Sequence, residues 1–349
     1  MKIGIYSPYL DTLGGGEKYI GIVAEHLSIN HTVDIFWSGS HSVKQQLCGK
    51  LNLDLDRVNF TPNIFADKNL FSRILKTNKY DRIIFLSDGS IPFIFAKKNI
   101  LHFQVPFQGK IGILDKIKLL NIRKIICNSF FTKRYVDKTY GFVSQVVYPP
   151  VDTALFVPGI KQNIILSVGR FTQTLHSKKQ EVLIDAFRKL TEAKVKGWKL
   201  RLIGNAMPGD NGYISKLREE SAKLPVEIVT NASLSILKNS YAEAKIYWHA
   251  AGFGENESHP EKMEHFGIST VEAMSAMCVP IVFKAGGQIE IVANGENGFL
   301  WENKDELVSR TKELIENNNK RESLAFFAQK RSRDFNKGKF CEKIDEIIA

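Results

Sequence analysis

The sequence predicts an α/β protein of two doubly wound, Rossmann-like domains. Three observations lead there. The chain has 349 residues, more than one hydrophobic core usually organises. Both halves alternate short β-branched or aromatic runs with runs of helical period. Midway, YPPVDTALFVPG (148–159) places Pro149, Pro150 and Pro158 where neither helix nor central strand can continue.

The first half reads as strands at KIGIY (2–6), TVDIFW (32–37), RIIFL (82–86), NILHF (99–103) and KIIC (124–127). Continuous apolar runs of this length suit parallel strands buried on both faces. Between the first two, Ile20, Val23, Ala24 and Leu27 recur at helical spacing. The second half repeats the pattern with NIILSVG (163–169), KLRLIG (199–204), VEIV (226–229), KIYW (245–248) and PIVF (280–283). VLIDAFRKL (182–190) sets Val182, Leu183, Ala186, Phe187 and Leu190 on one helix face. The chain closes on an amphipathic helix expected to begin after Gly338, with Phe340, Ile344, Ile347 and Ile348 on one side. These readings divide the chain into 1–157, 158–335 and a terminal helix, 336–349. Two such domains facing each other make a cleft, with ligands at the C-terminal strand ends.

Composition narrows the class. Hydrophobic residues make up 44% and charged residues 24%, as in globular proteins, and no run approaches the roughly 18 apolar residues of a membrane span. Cys48, Cys127, Cys278 and Cys341 are far apart and form no C-x-x-C pair, which fits a reduced, cytoplasmic compartment and no zinc cluster. Residues 1–150 carry 20 Lys and Arg against 11 Asp and Glu, a net +9 of the chain's +11. A basic first half suits an anionic partner: nucleic acid, membrane surface or phosphorylated substrate. No nucleic-acid module is recognisable. GKIGILDKIKLLNIRK (109–124) mixes lysines with Ile111, Leu114 and Leu120, a basic amphipathic stretch able to rest on an anionic membrane or to pack as an ordinary helix.

Four segments combine strand ends, helix starts and reactive residues. LGGGEKY (13–19) lets backbone at Gly14, Gly15 and Gly16 approach a ligand, with helical N–H groups behind it. It matches neither G-x-G-x-x-G nor a P-loop. VGRFTQTLHSKKQ (168–180) puts Arg170 just past a strand and Lys178 and Lys179 just before a helix. Cations at such a βα connection suit a diphosphate. EHFGISTVE (264–272) reads as a loop with Glu264, a turn at Phe266–Gly267 and a helix from about Ile268 that carries Glu272. His102, in ILHFQVPF (100–107), lies in or at the end of an apolar strand, where it is either core or ligand-facing. His259 and His265 lie near acids without metal-ligand spacing.

Together these segments resemble family-4 retaining glycosyltransferases of the GT-B fold (glycosyl transferases group 1). EHFGISTVEAM resembles that family's E-x7-E motif, and CNSFFTKRY (127–135), VVYPPVDTALF (146–156), KAGGQIEIV (284–292) and NGENGFLW (294–301) follow in the family's order. The His of EHFG and the LHFQVP stretch are similar to the α-1,2-mannosyltransferase branch. The resemblance implies an acceptor-binding first domain, a donor-binding second domain and a terminal helix that returns to the first. Arg170 and Lys178, with Lys179 as the second choice of register, would neutralise a nucleotide diphosphate. Glu264 would hold donor sugar hydroxyls, Glu272 the ribose, and backbone around Phe266, Gly267 and Ile268 the sugar or phosphate. Gly15 and Gly16 would approach the diphosphate, and His102 would sit beside the transferred sugar. The implied reaction is metal-independent and needs no cofactor beyond a GDP- or UDP-sugar co-substrate, with mannose from GDP-mannose favoured. Its acceptor is a glycan or lipid-linked; a small soluble acceptor or a non-catalytic sugar-nucleotide binder is the alternative. Separately, the basic first domain is expected to touch an anionic membrane peripherally, at its inner face.

Overall fold

The structure is a computed structural model that describes residues 1–40, 42–173 and 177–349. It divides into two compact units, residues 1–150 with 338–349, and residues 151–337.

Among the described residues the first unit is a parallel sheet of seven strands: β1 (Lys2–Tyr6), β2 (Thr32–Phe36), β3 (Val58–Thr61), β4 (Arg82–Leu86), β5 (Lys98–Phe103), β6 (Lys124–Cys127) and β7 (Gln145–Val146). Its helices are α1 (Gly15–Leu27), α2 (Val43–Leu51), α3 (Leu70–Thr77), α4 (Ile113–Leu119) and α5 (Phe130–Tyr140). The strand order is β3-β2-β1-β4-β5-β6-β7, so the winding direction reverses between β1 and β4. Ile5 of β1 pairs with Ile35 on one side and Ile84 on the other. One apolar cluster joins Ile3, Ile5, Ile20 and Val23 on one face, and a second joins Phe36, Tyr80, Phe85 and Phe103.

The second unit has β8 (Gln162–Val168), β9 (Lys199–Gly204), β10 (Val226–Thr230), β11 (Ala244–His249), β12 (Val279–Phe283) and β13 (Phe299–Trp301). The order β10-β9-β8-β11-β12-β13 puts its reversal between β8 and β11. Around this parallel sheet run α6 (Gln180–Glu192), α7 (Asn211–Ser221), α8 (Leu234–Glu243), α9 (Ile268–Ser275), α10 (Gln288–Ile291), α11 (Lys304–Glu316) and α12 (Asn318–Ser332).

The last helix, α13 (Lys337–Ile348), lies with the first unit. Phe340, Ile344, Ile347 and Ile348 join the cluster of Ile3 and Ile5, and Phe340 meets Tyr19 edge-on at 4.8 Å. Its C-terminal carbonyls are taken by cations: Lys124 Nζ donates to Ile347 O at 2.9 Å and Lys98 Nζ to Ala349 O at 2.8 Å. Charge at the negative end of a helix dipole is favourable there.

Four details differ from the sequence reading. The unit boundary falls at Pro150/Val151 rather than 157/158, because Val151 bridges to Asn336 and Phe156 is buried in the second core. Gly338 lies inside the first turn of α13 rather than before it, a position where backbone N–H groups need no helical partner. The 109–124 stretch is helical only over Ile113–Leu119, since Lys124 already begins β6. The short strands β3, β7 and β13 were not anticipated; they have four, two and three residues.

Candidate active site

The reversal between β8 and β11 in the second unit fixes where side chains can meet. Ligands of doubly wound sheets bind where strand order reverses, at the C-terminal ends. β8 ends at Val168, so Gly169 and Arg170 leave the sheet there, and β11 ends at His249. Gln180, buried in the first turn of α6, donates from Nε2 to Arg170 O at 3.0 Å and holds the start of that connection. Lys178 and Lys179 close it, and Thr174, Leu175 and His176 within TQTLHS lie outside the described residues.

The two lysines then part. Lys178 Nζ bonds Glu264 Oε2 at 2.6 Å. Lys179 Nζ instead bonds Glu255 Oε1 at 2.6 Å, and Lys262 meets the other oxygen of Glu255 at 3.3 Å. Glu255 belongs to the AGFGENESHPEKM segment ahead of Glu264.

Glu264 Oε2 also meets His249 Nε2 at 2.8 Å. Burial pushes the Glu264 carboxyl up, but the Lys178 charge and the His249 hydrogen bond outweigh it and hold the group well below the usual range. Burial depresses the His249 imidazole more than Glu264 raises it. The pair is therefore a carboxylate and a neutral ring, which must donate from Nε2. His249 Nδ1 is buried with no partner among the described residues. Lys178 keeps two further N–H donors for an anion.

The Glu264 backbone is held by the glycine pair of KAGGQIEIV. Gly287 N donates to Glu264 O at 2.7 Å. Gly286 has φ +63°, and a Cβ there would lie 2.1 Å from Glu264 O, so only glycine lets the two loops touch. Gly267 caps α9 with φ +122°, and the helix starts at Ile268, as its glycine suggested. The Gln288 amide is buried against Gly267, with neither Nε2 nor Oε1 bonded among the described residues. The first N–H groups of α9, at Ile268 and Ser269, lack an acceptor within the helix. Glu272, one turn on, is held apart from the lysine: Tyr241 OH donates to its Oε2 at 2.8 Å. Tyr247 OH meets Ser269 Oγ at 2.8 Å.

Thus Lys178 and Glu264 are brought together, Glu272 has its own tyrosine, and Arg170 is exposed at the strand end. His249 and Gln288 were not anticipated. The signal for His249 was its place one residue past KIYW, at a strand end. His259 pairs with Glu261 at 3.1 Å, and no cluster of three or more potential metal ligands occurs among the described residues.

The first unit is organised differently. Gly14 N donates to Glu17 Oε2 at 2.6 Å, which fixes the start of α1. Gln104 lies on the loop so closely that a Cβ at Gly16 would fall 2.4 Å from its Oε1, and Asn128 Nδ2 donates to Gln104 O at 3.0 Å. His102, next to last in β5, is fully buried with its ring 4.4 Å from Tyr19. Burial drops its pKa to about 3, and neither nitrogen is bonded among the described residues.

Residues 153–331 match the family description "Glycosyl transferases group 1", slightly over half the chain. The chain belongs to that family. A mouse protein named GDP-Man:Man(3)GlcNAc(2)-PP-Dol α-1,2-mannosyltransferase is 30% identical over 206 residues, 52% of this chain and 39% of its own. Its human counterpart is 28% identical over 241 residues, 62% and 44%. This chain therefore spans less than half the length of either mannosyltransferase. An uncharacterised glycosyltransferase of Methanocaldococcus jannaschii is 27% identical over 222 residues, 63% and 57%.

Among solved structures, Anabaena HepE in complex with UDP superposes with TM-score 0.78 at 20% identity, covering 99% of both chains. A Rickettsia africae glycosyltransferase gives 0.77 at 19%, covering 99% of this chain and 97% of that one. At these identities the likeness shows the fold, which is that of the GT-B glycosyltransferases. The group 1 match lies wholly within the second unit, which holds the Lys178–Glu264–His249 cluster.

Proposed function

We propose that this group 1 glycosyltransferase moves a hexose from a nucleotide-sugar to a glycan or lipid-linked acceptor, with retention and without a metal ion, and that mannose from GDP-mannose is its preferred donor. The observation that supports this most is the shared Glu264 Oε2, with Lys178 at 2.6 Å and His249 at 2.8 Å beside a strand reversal. An ionised, acceptor-only carboxylate suits sugar hydroxyls. Cations beside it suit the negative charge that grows on a departing diphosphate. The mannosyltransferase names of the relatives favour mannose and GDP.

In this reading Arg170 and Lys178 stabilise the leaving diphosphate, and the N–H groups at Phe266, Gly267 and Ile268 meet phosphate or sugar. Glu264 orients the sugar and Glu272 takes the ribose diol. The anomeric C–O bond to the diphosphate breaks as the acceptor hydroxyl oxygen bonds on the same face, through oxocarbenium character, and the hydroxyl proton passes to the departing phosphate oxygen. Two cations and helix N–H groups then do what a divalent ion does elsewhere.

A thermal-shift screen against GDP, UDP, ADP and their sugar conjugates, with and without EDTA, tests this. A ligand at 100 times its dissociation constant stabilises by about 2.7 kcal/mol. The expected result is a GDP-selective shift that survives EDTA and is lost in Glu272→Ala. No shift with any nucleotide removes the donor site. A shift abolished by EDTA removes the metal-free mechanism.

A further inference from the structure

Apolar side chains on two helices of the first unit point away from its core. On α4, Ile113 is 80% exposed, Leu114 66%, Ile117 50% and the C-capping Leu120 85%. These four fall at i, i+1, i+4 and i+7, a single helical stripe. Only Leu119 of that helix is buried. On α3, Phe71 is 69% exposed, with Leu75 one turn later and Leu70 beside it also exposed. The usual amphipathic arrangement is inverted in both helices, because the apolar face of a surface helix normally turns inward.

The two helices belong to one continuous surface. Phe95 N donates to Thr77 Oγ1 at the end of α3. Phe95 stacks on Phe93 with centroids 6.4 Å apart, and Lys118 of α4 stands 5.4 Å over the Phe93 ring. Apolar patches of this kind on a surface mark an interaction site.

Charge identifies the partner. Residues 67–79 and 109–124 together carry nine Lys and Arg and two acids, Asp67 and Asp115. Both acids are already neutralised, Asp67 by Lys76 at 2.7 Å and Asp115 by Lys118 at 2.9 Å. Lys68, Lys79, Lys110, Lys116 and Arg123 remain exposed around the apolar stripe. A second copy of the chain docked face to face would set these cations against themselves. A nucleic-acid backbone would satisfy the cations and leave Leu114, Leu120 and Phe71 in water.

We propose that this face, α3 and α4 with Phe93 and Phe95 between them, docks on an anionic lipid bilayer, the apolar stripe entering the acyl boundary while the lysines meet headgroup phosphates. The contact is peripheral, since no helix among the described residues is long and apolar enough to cross a membrane. It goes beyond the transfer reaction and does not depend on which acceptor is used.

Flotation of the full chain with phosphatidylcholine vesicles, with and without phosphatidylglycerol, tests the face without any donor present. Failure therefore leaves the transfer reading standing. Binding is expected only to the anionic vesicles. Each lysine lost should weaken partitioning about fivefold, so Lys110→Glu with Lys116→Glu should weaken it more than the two neutralisations alone. Leu114→Ser with Leu120→Ser should abolish flotation and leave the melting temperature unchanged, because both side chains are already exposed. Equal binding to neutral vesicles, no flotation, or flotation that persists in both variants overturns the proposal. So does a dimer in light scattering that the serine pair dissolves without affecting vesicle binding.

Discussion

The two units share a doubly wound parallel sheet yet treat the buried histidines near their strand ends in opposite ways. In the second, His249 at the end of β11 shares a carboxylate with Lys178. In the first, His102 near the end of β5 packs on the Tyr19 ring, with neither nitrogen bonded among the described residues. One unit stores charge in a bonded cluster. The other surrounds its glycine loop with Gln104 and Asn128 amides and puts its surplus charge outside, on α3 and α4. The family match falls on the unit with the cluster. Fixed ion pairs tolerate little change in residue type, whereas backbone contacts and solvated lysines tolerate much more.

Breaking the cluster should have the largest effect. Lys178→Ala should lower the transfer rate about a hundredfold to a thousandfold, the usual loss when one transition-state donor is removed. Lys179→Ala, whose amine serves Glu255, should change it by a few-fold at most. Equal losses from both lysines in a steady-state assay with GDP-mannose would erase the distinction between them.

Next comes the loop contact beneath the cluster. Gly286→Ala introduces a Cβ 2.1 Å from Glu264 O at φ +63°. It should cost about 3 kcal/mol or more of stability, read as a lowered urea midpoint. An unchanged midpoint would mean that the Glu264 loop moves freely and the cluster is not preorganised.

The third test compares the two histidines directly. His102 has a folded pKa of about 3, and that of His249 is also lowered. The unfolded chain takes up these protons near pH 6.5 while the folded chain does not. Stability from each is therefore present above pH 6.5 and falls as pH drops toward the folded pKa, by about 1.4 kcal/mol per unit for each ring. His102→Leu should flatten that acid limb. His249→Gln should flatten it too, but should also weaken donor binding roughly tenfold, one hydrogen bond to a charged group. If His102→Leu left the slope of the urea midpoint against pH untouched, the buried, neutral assignment of that ring would fail.

Much of the second unit's site was legible in advance because its signals are local. Gly267 announced the start of α9, and the βα connection announced Arg170 and Lys178. What stayed hidden were partners distant in sequence: His249 for Glu264, 15 residues away, and Tyr241 for Glu272, 31 away. The short strand β13, three residues inside NGENGFLW, was hidden for a related reason. Three residues show no periodicity, and pairing with β12 alone makes them a strand.

By itself the sequence determined the alternation of strands and helices, and so two doubly wound units. It did this through apolar runs whose period depends only on neighbours along the chain. The tertiary structure alone decided which lysine meets Glu264, which ring stays neutral, and which helices turn their apolar faces outward. Those outcomes depend on strand order and burial, which bring distant residues within hydrogen-bond reach and remove the water that would otherwise equalise them.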